Sequence, residues 1–299
     1  MPRHLVNLVS LLVVGSQCVA ATSGLASREL EELTRRIPPR PLQALTGSQF
    51  AESVAALDAR QREQAILKEI LQGNLPTFLR QLIPVELTSR TAGGRALSAT
   101  IFVMPDYLAI GADTDFLRIP MNLETAAAVA ARFHFVLPTR KMVDAIYKQS
   151  AFHFVPEPLR SGPEMRSTEY YRLHNLMIER QARDRGIPVG PLVSGHKKDV
   201  VVTNLLARTQ GRIAIYGWHR PNGAPIQPLS TVHGVCYADY SHGVRLISEM
   251  ALEDGTFRAV GDILQDSVLA TALSDEGTIR PVRDGGVPQV GEGRCGRGI

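Results

Sequence analysis

Four of the eight histidines in the chain fall between residues 196 and 242. They are His196, His219, His233 and His242, and each has polar residues or glycine beside it. Imidazole changes its charge near neutral pH and is also the commonest side-chain metal ligand. Binding groups usually gather at element ends and in loops, where a rigid scaffold fixes them but leaves them accessible. This stretch is therefore the candidate functional region.

Three motifs in this stretch carry the candidate residues. They are "VSGHKKDVVVT" before a predicted strand, "YGWHRPNG" after one, and "LSTVHGVCYADYSHG" between two. We predict that these segments meet, and that the catalytic residues are His196, His219, Asp239 and His242. The residues predicted to bind substrate beside them are Lys198, Tyr216, Trp218, His233 and Tyr237.

Two kinds of chemistry fit these side chains. A catalytic zinc ion uses three protein ligands and a water molecule, so His196, His219 and His242 are candidate Zn²⁺ ligands. No zincin helix motif is present, and the spacing does not identify a known zinc site. Without a metal, His242 beside Asp239 could act as an acid–base pair.

Cysteine chemistry is a further alternative. Cys236 lies close in sequence to His233 and His242, and a thiol next to an imidazole can act as a nucleophile. Cys236 could instead pair with Cys295, which lies in the Gly-rich C-terminal segment. One optional bridge and two free thiols both fit the sequence, but the cysteine count excludes a disulfide framework.

The N-terminus has the layout of a secretory signal peptide over residues 1–21. Arg3 and His4 precede a short apolar core, and small residues follow it around Ala20. No later stretch is apolar and long enough to cross a bilayer. The sequence predicts a secreted or periplasmic protein without a transmembrane segment once the signal is removed.

The charge distribution bears on the kind of partner. The chain has 33 Lys and Arg residues against 29 Asp and Glu residues, and the charges are scattered along it. A nucleic-acid-binding protein would show a basic patch or stripe. We therefore expect an extracellular or cell-envelope polymer as partner, and no nucleic acid.

The patterning predicts an α+β fold with N-terminal helices and a mixed or antiparallel sheet in the C-terminal half. Helices are predicted to begin after Asp58, Asn122 and Thr139, which are good N-cap residues. Strand hairpins are predicted around Gly93 and around "EDG". The acidic turn in "DYLAIGADTDFLRIPM" indicates a surface hairpin more than a calcium loop.

The composition along the sequence divides the chain into four predicted segments. Residues 1–21 form the signal peptide, and the Pro-rich residues 22–45 form a linker or arm. Residues 46–280 form a single α+β domain, which is long enough to bury a substantial core. Residues 281–299 form a flexible tail.

Several segments together carry a resemblance. "LPTRKMVDAIY", "GHKKDVV", "IYGWHRPNGAPIQPLS" and "YADYSHGVRL" resemble those of a family of uncharacterised, predicted secreted bacterial proteins. The resemblance runs from about residue 45 to residue 280. It implies export and one continuous domain, and it brings no activity or catalytic residue with it.

Two functions follow as expectations. The first is an exported hydrolase that acts on a cell-envelope or extracellular polymer, with peptidoglycan as the leading substrate because exported bacterial enzymes often meet it. The second is a non-catalytic envelope or carbohydrate-binding protein. It would use Trp218, Tyr237 and Tyr240 as a stacking platform.

Overall fold

The computed structural model describes residues 31–32, 34–91, 93–279 and 295. The predicted signal peptide, residues 1–21, lies outside the described residues and stays a prediction. The described chain combines helices with four sheets, two of which are large, and this confirms the α+β class expected from the sequence.

Seven α-helices are formed in the described part of the chain. They are α1 (Gly47–Ser53), α2 (Ala59–Leu71), α3 (Leu123–Phe133), α4 (Arg140–Gln149), α5 (Thr168–Asp184), α6 (Val260–Gln265) and α7 (Ala270–Leu273). The predicted caps Asp58, Asn122 and Thr139 each accept a hydrogen bond from the backbone N–H three residues later. These side chains satisfy amides that the first helical turn leaves unpaired.

Thirteen strands are formed in the same described ranges. They are β1 (Ile83–Arg90), β2 (Ala96–Val103), β3 (Ala109–Ala112), β4 (Asp115–Arg118), β5 (Phe135–Val136), β6 (Phe152–His153), β7 (Val193–Ser194), β8 (Lys198–Val200), β9 (Ile215–His219), β10 (Pro225–Ser230), β11 (His242–Gly243), β12 (Ile247–Glu253) and β13 (Thr256–Ala259). The sequence did not reveal β10, because its two prolines are typical of loops and edge strands.

The larger sheet joins strands from both halves of the chain in the order β1-β2-β12-β13, and β5 pairs with β12. Both predicted hairpins are present in it. The turn between β12 and β13 places Asp254 at φ 46° and Gly255 at φ 80°. Two successive positive φ angles suit the right-handed twist of paired strands.

The second sheet has the order β10-β9-β8-β11. Strand β8 runs antiparallel to β9 and parallel to β11. Strand β8 carries the first His-containing motif, β9 the second and β11 the end of the third, so this sheet brings all three motifs together. Two short pairs, β3 with β4 and β6 with β7, complete the strand pairings.

The segment before α1 packs on the domain. Ile37 is buried in the main core, and the Arg40 guanidinium donates hydrogen bonds to Asn74 Oδ1 at 2.9 Å and to the Ala44 carbonyl at 2.8 Å. The described part of the predicted arm is therefore held against the domain. None of the helices in the described ranges is both long and apolar enough to cross a membrane.

Candidate functional site

Strands β8 and β11 place Lys198 and His242 opposite each other. Because they are partners in a parallel pair, their side chains leave the sheet on the same face. Lys198 is also paired with Gly217 of β9, and its Nζ lies 5.4 Å from the ring centre of Trp218. All three predicted segments thus meet at one strip of the second sheet.

His242 is fully buried, and neither of its ring nitrogens has a hydrogen-bond partner among the described residues. Its Nε2 lies 3.8 Å from Oδ2 of Asp239, which is too long for a hydrogen bond. Asp239 itself is well held. Its Oδ1 accepts bonds from the Ser241 N–H at 2.8 Å and the Ser241 hydroxyl at 2.5 Å, and its Oδ2 accepts one from the Tyr237 hydroxyl at 3.0 Å.

The charge states of this pair follow from its surroundings. Burial lowers the pKa of His242 to about 4, and the neighbouring Asp239 offsets only part of that effect. Burial opposes ionisation of Asp239, but its attraction to His242 and its bonds from Ser241 keep its pKa below the ordinary value. At neutral pH the pair is therefore a neutral imidazole beside a carboxylate.

A stacked pair of rings lies over His242. The rings of His233 and Tyr237 are 4.0 Å apart and tilted by only 6°. Their centres lie 6.1 Å and 5.6 Å from that of His242. Both residues are only half-buried, so they separate the buried imidazole from solvent.

Gly243 fixes the backbone next to His242. A Cβ atom at this position would lie 2.6 Å from a ring carbon of Tyr107 and 2.8 Å from Cβ of Lys197. No side chain fits there without moving one of them. The ring of Tyr107 therefore packs directly on the strand that carries His242.

A cavity of about 480 Å³ adjoins this cluster. The connection is Arg166, which lines the cavity and whose guanidinium carbon lies 5.3 Å from the ring centre of Tyr237. The lining includes Glu63, Asn122, Glu124, Arg166, Cys236 and Cys295.

Glu63 is a largely buried carboxylate in the wall of this cavity. Its Oε1 accepts a hydrogen bond from the Asn122 N–H at 3.0 Å, while its buried Oε2 has no partner in the part of the chain that the structure describes. Burial raises the pKa of Glu63 to about 7, although the Thr125 side chain, the bond from the Asn122 N–H and the charges of Arg62 and Arg166 pull in the other direction. Sequence reasoning missed this residue.

A signal for Glu63 was present in the sequence. Ile66 and Ile70 form the buried face of α2, and Glu63 lies three residues before Ile66. Residues at this spacing share one helix face. The ionisable pair Arg62 and Glu63 at the start of this mainly apolar face is therefore the pattern that could have identified it.

The raised pKa predicts a pH-dependent difference in stability between Glu63→Gln and the wild type. The folded pKa of about 7 lies above the reference value of 4.5, so the stability contributed by the neutral carboxyl is complete below pH 4.5 and is lost as the pH rises through 7. We expect the variant to gain about 3 kcal/mol relative to the wild type between pH 4.5 and pH 8.

Urea denaturation of both proteins across this range measures the difference. Glu169→Gln is the control, because Glu169 lies on the exposed side of α5 and pairs with the exposed Arg172. A pH-independent difference between Glu63→Gln and the wild type would show that Glu63 titrates normally.

His196 lies in a different environment from His242. Its Nε2 is 2.9 Å from Oδ1 of Asp106, and Oδ2 of Asp106 accepts a bond from Nε of Arg118 at 2.8 Å. The imidazole packs edge-on against the rings of Tyr107 and Phe154. Burial lowers its pKa to about 4, so it is a neutral donor to Asp106, and its Nδ1 has no partner within the described residues.

His219 belongs to a third environment, against α4. Its Nε2 lies 3.0 Å from Oδ1 of Asp144, and its ring stacks on Tyr147 with 4.5 Å between centres. The Tyr216 hydroxyl donates to the same Asp144 oxygen at 2.8 Å. His219 and Tyr216 therefore form a structural cluster and do not join His242.

The predicted zinc site is not formed. Among the residues that the structure describes, no three His, Cys, Asp or Glu side chains are grouped so that they could hold one ion. The physical reason is that each candidate ligand lies beside a carboxylate of its own. The pairs are His196 with Asp106, His219 with Asp144 and His242 with Asp239.

The predicted aromatic surfaces are also wrong. Trp218 and Tyr240 are buried in the main core, and Tyr216 is buried in a separate cluster. Trp218 adopts φ 55° and Gly217 adopts φ 106°, which breaks the regular alternation of side chains along β9. Trp218 and Tyr216 therefore cannot form one substrate wall, and only Tyr237 keeps an accessible ring.

Cys236 forms a disulfide with Cys295, with 5.5 Å between the two Cα atoms. The alternative based on a free Cys236 thiol is therefore wrong for this structure. Of the predicted tail, residues 281–299, only Cys295 lies within the described residues. Its N–H donates to Oε2 of Glu124 at 3.3 Å, so the bridge also forms part of the cavity wall.

Lys197 is a second residue that sequence reasoning missed. It is only 1% exposed, and its Nζ donates to the Tyr240 carbonyl at 2.6 Å. Burial, with the nearby positive charge of Arg118, lowers its pKa to about 7. The two adjacent lysines thus differ sharply, because the Lys198 side chain is less buried and lies over Trp218.

Comparisons with models of protein families, with characterised proteins and with solved structures gave no match.

Proposed function

We propose that the chain is an exported hydrolase of a cell-envelope or extracellular polymer, with peptidoglycan as the first candidate. The observation that carries this proposal is the buried His242, whose two ring nitrogens lack partners in the described chain beside the ionised Asp239. Buried polar groups in folded proteins are nearly always hydrogen-bonded. Unpartnered nitrogens next to a carboxylate favour a site that receives water or a substrate group.

Together, His242, Asp239 and Lys198 suit the hydrolysis of an amide bond. His242 takes a proton from water as the water oxygen adds to the carbonyl carbon, and then gives the proton to the leaving nitrogen as the C–N bond breaks. Asp239 stabilises the imidazolium that forms between these two steps. The Lys198 ammonium offsets the negative charge that develops on the carbonyl oxygen.

Access to His242 requires the stacked rings of His233 and Tyr237 to move, because the imidazole is fully buried beneath them. Both rings lie on the segment that ends at Asp239, so their displacement opens the site from one side. The adjoining cavity of about 480 Å³ is large enough for a few residues of a polymer. A disulfide and a signal-like N-terminus both favour an oxidising compartment outside the cytoplasm.

The test compares two matched substitutions, Asp239→Asn and Asp144→Asn, with the wild type. Both carboxylates lie beside a buried histidine, at 3.8 Å and 3.0 Å. We expect the wild-type protein to release soluble fragments with new amino groups from dye-labelled peptidoglycan. Asp239→Asn should slow this release about 10²-fold, because the imidazolium loses its counter-charge.

Asp144→Asn should keep the rate within about threefold of the wild type, since Asp144 belongs to the separate cluster of His219 and Tyr216. Absence of release by the wild type from peptidoglycan and from a panel of envelope polysaccharides and proteins would disprove the hydrolase proposal. Equal rates for Asp239→Asn and Asp144→Asn would remove the proposed centre.

A further inference from the structure

The cavity that Arg166 connects to the Tyr237 ring contains carboxylate oxygens with unused hydrogen-bonding capacity. Oε2 of Glu63 and Oε1 of Glu124 are both buried and have no partner within the described residues. Both residues line the same cavity. A buried, unpaired carboxylate oxygen is costly, so this arrangement favours a ligand that brings N–H donors.

Two arginines complete the cavity at its exposed side. Arg60 and Arg166 line it, and both residues are exposed. Arg166 contacts the Tyr237 ring through its guanidinium. Planar guanidinium groups are well suited to carboxylates, which they can bind through two parallel hydrogen bonds.

We infer that this cavity binds a zwitterionic α-amino-acid group, with its ammonium against Glu63 and Glu124 and its carboxylate against Arg166 and Arg60. The inference rests on the proposed function, because the cavity would hold the part of a substrate that lies next to the cleaved bond. This chemistry has two sources. One is a free amino acid, and the other is the side-chain end of a diaminodicarboxylic acid residue in an envelope peptide.

The charges around Glu63 predict how binding depends on pH. The groups that face it or line its cavity are Arg60, Arg62, Glu124, Arg166 and Tyr171. Since burial raises the pKa of Glu63 to about 7, its anionic form becomes dominant only above that pH. Affinity for an ammonium group should therefore rise between pH 6 and pH 8, by at most about tenfold for each unit below 7.

Calorimetry on the full-length protein at pH 8 tests the inference with three probes. The first is 2,6-diaminopimelic acid, which carries two zwitterionic ends. Cadaverine keeps only the amines and pimelic acid keeps only the carboxylates. We expect the first probe to bind at least tenfold more tightly than the other two. A tripeptide that carries the diamino acid distinguishes the sources, because a site for free amino acids would reject it.

Two substitutions assign the contacts. Glu63→Gln, which preserves the side-chain shape, should weaken the binding of diaminopimelic acid at least tenfold. Arg166→Met should also weaken this binding, while the weak binding of cadaverine stays unchanged. Glu169→Gln, outside the cavity, should bind like the wild type. Equal binding of all three probes, or undiminished binding by Glu63→Gln, would overturn the inference.

Binding is also measured with His242→Asn, so that catalysis and recognition are separated. If this variant binds diaminopimelic acid but no form of the protein cleaves peptidoglycan, the amino-acid site stands and the hydrolase proposal fails. If the wild type cleaves peptidoglycan but binds none of the probes, the hydrolase proposal stands and the amino-acid site fails.

Discussion

Replacing His242 with asparagine is expected to slow the release of peptidoglycan fragments by about 10²–10⁴-fold, the usual contribution of one acid–base group. The reason is that the His242 ring lies 3.8 Å from Asp239, whereas the nearby His233 ring is stacked on Tyr237. Asparagine fits the same space and keeps a hydrogen-bonding group, but it cannot accept and return a proton. Initial rates of amino-group release, measured at saturating substrate, give the effect.

The matched control is His219→Asn, because both imidazoles are buried next to an aspartate. It should lose stability to a similar extent and keep its activity. The wild-type rate at saturation should also fall as the pH decreases through about 4, where His242 becomes protonated. Equal activity of the two variants would rule out His242 as the base.

Replacing Arg118 with methionine is expected to lower the free energy of unfolding by about 3–5 kcal/mol. Arg118 and Asp106 are each 4% exposed, and the Arg118 guanidinium donates to Asp106 at 2.8 Å and to Glu179 at 2.5 Å. Burial opposes ionisation of Asp106, but Arg118 and His196 hold its pKa well below the ordinary range. Without the guanidinium, a buried carboxylate would lose most of its compensation.

Guanidinium chloride denaturation at pH 7 measures this loss. Arg140→Met is the control, because the Arg140–Asp275 pair is about one-third exposed and should contribute less than about 1 kcal/mol. Adding Asp106→Asn to Arg118→Met should recover part of the loss, since it removes the uncompensated charge. A loss no larger than that of Arg140→Met would show that the Asp106 network does not depend on the ion pair.

Local patterns in the sequence predicted much of the fold. The helix caps Asp58, Asn122 and Thr139 and the turn at Asp254 depend on residues only a few positions apart. The cap side chains bind neighbouring backbone groups directly, and the turn depends on two residues that tolerate positive φ, so the local sequence contains the required information. The first residues of these three helices and the α+β class followed from such local signals.

The partners of the histidines could not be predicted in this way. Asp106 lies 90 residues before His196, and Asp144 lies 75 residues before His219. Only His242 has a partner three residues away, in Asp239. Because the assignment of the other two depends on tertiary packing, the sequence grouped three histidines that the fold separates.

The prediction of where the aromatic side chains lie failed for a different reason. Alternation along a regular strand predicts which face each side chain uses, but Gly217 and Trp218 both have positive φ angles. Trp218 is therefore turned into the main core, which no periodicity rule would anticipate. Non-glycine residues at positive φ are uncommon and cluster at functional sites.

The close contact between Gly243 and the Tyr107 ring limits how this site could be diversified. A laboratory evolution library that varies position 243 should return only glycine among folded clones, so new specificities cannot arise beside His242 on its own strand. Useful variation would instead come from the segment with His233 and Tyr237, where half-exposed side chains can change size without displacing the core.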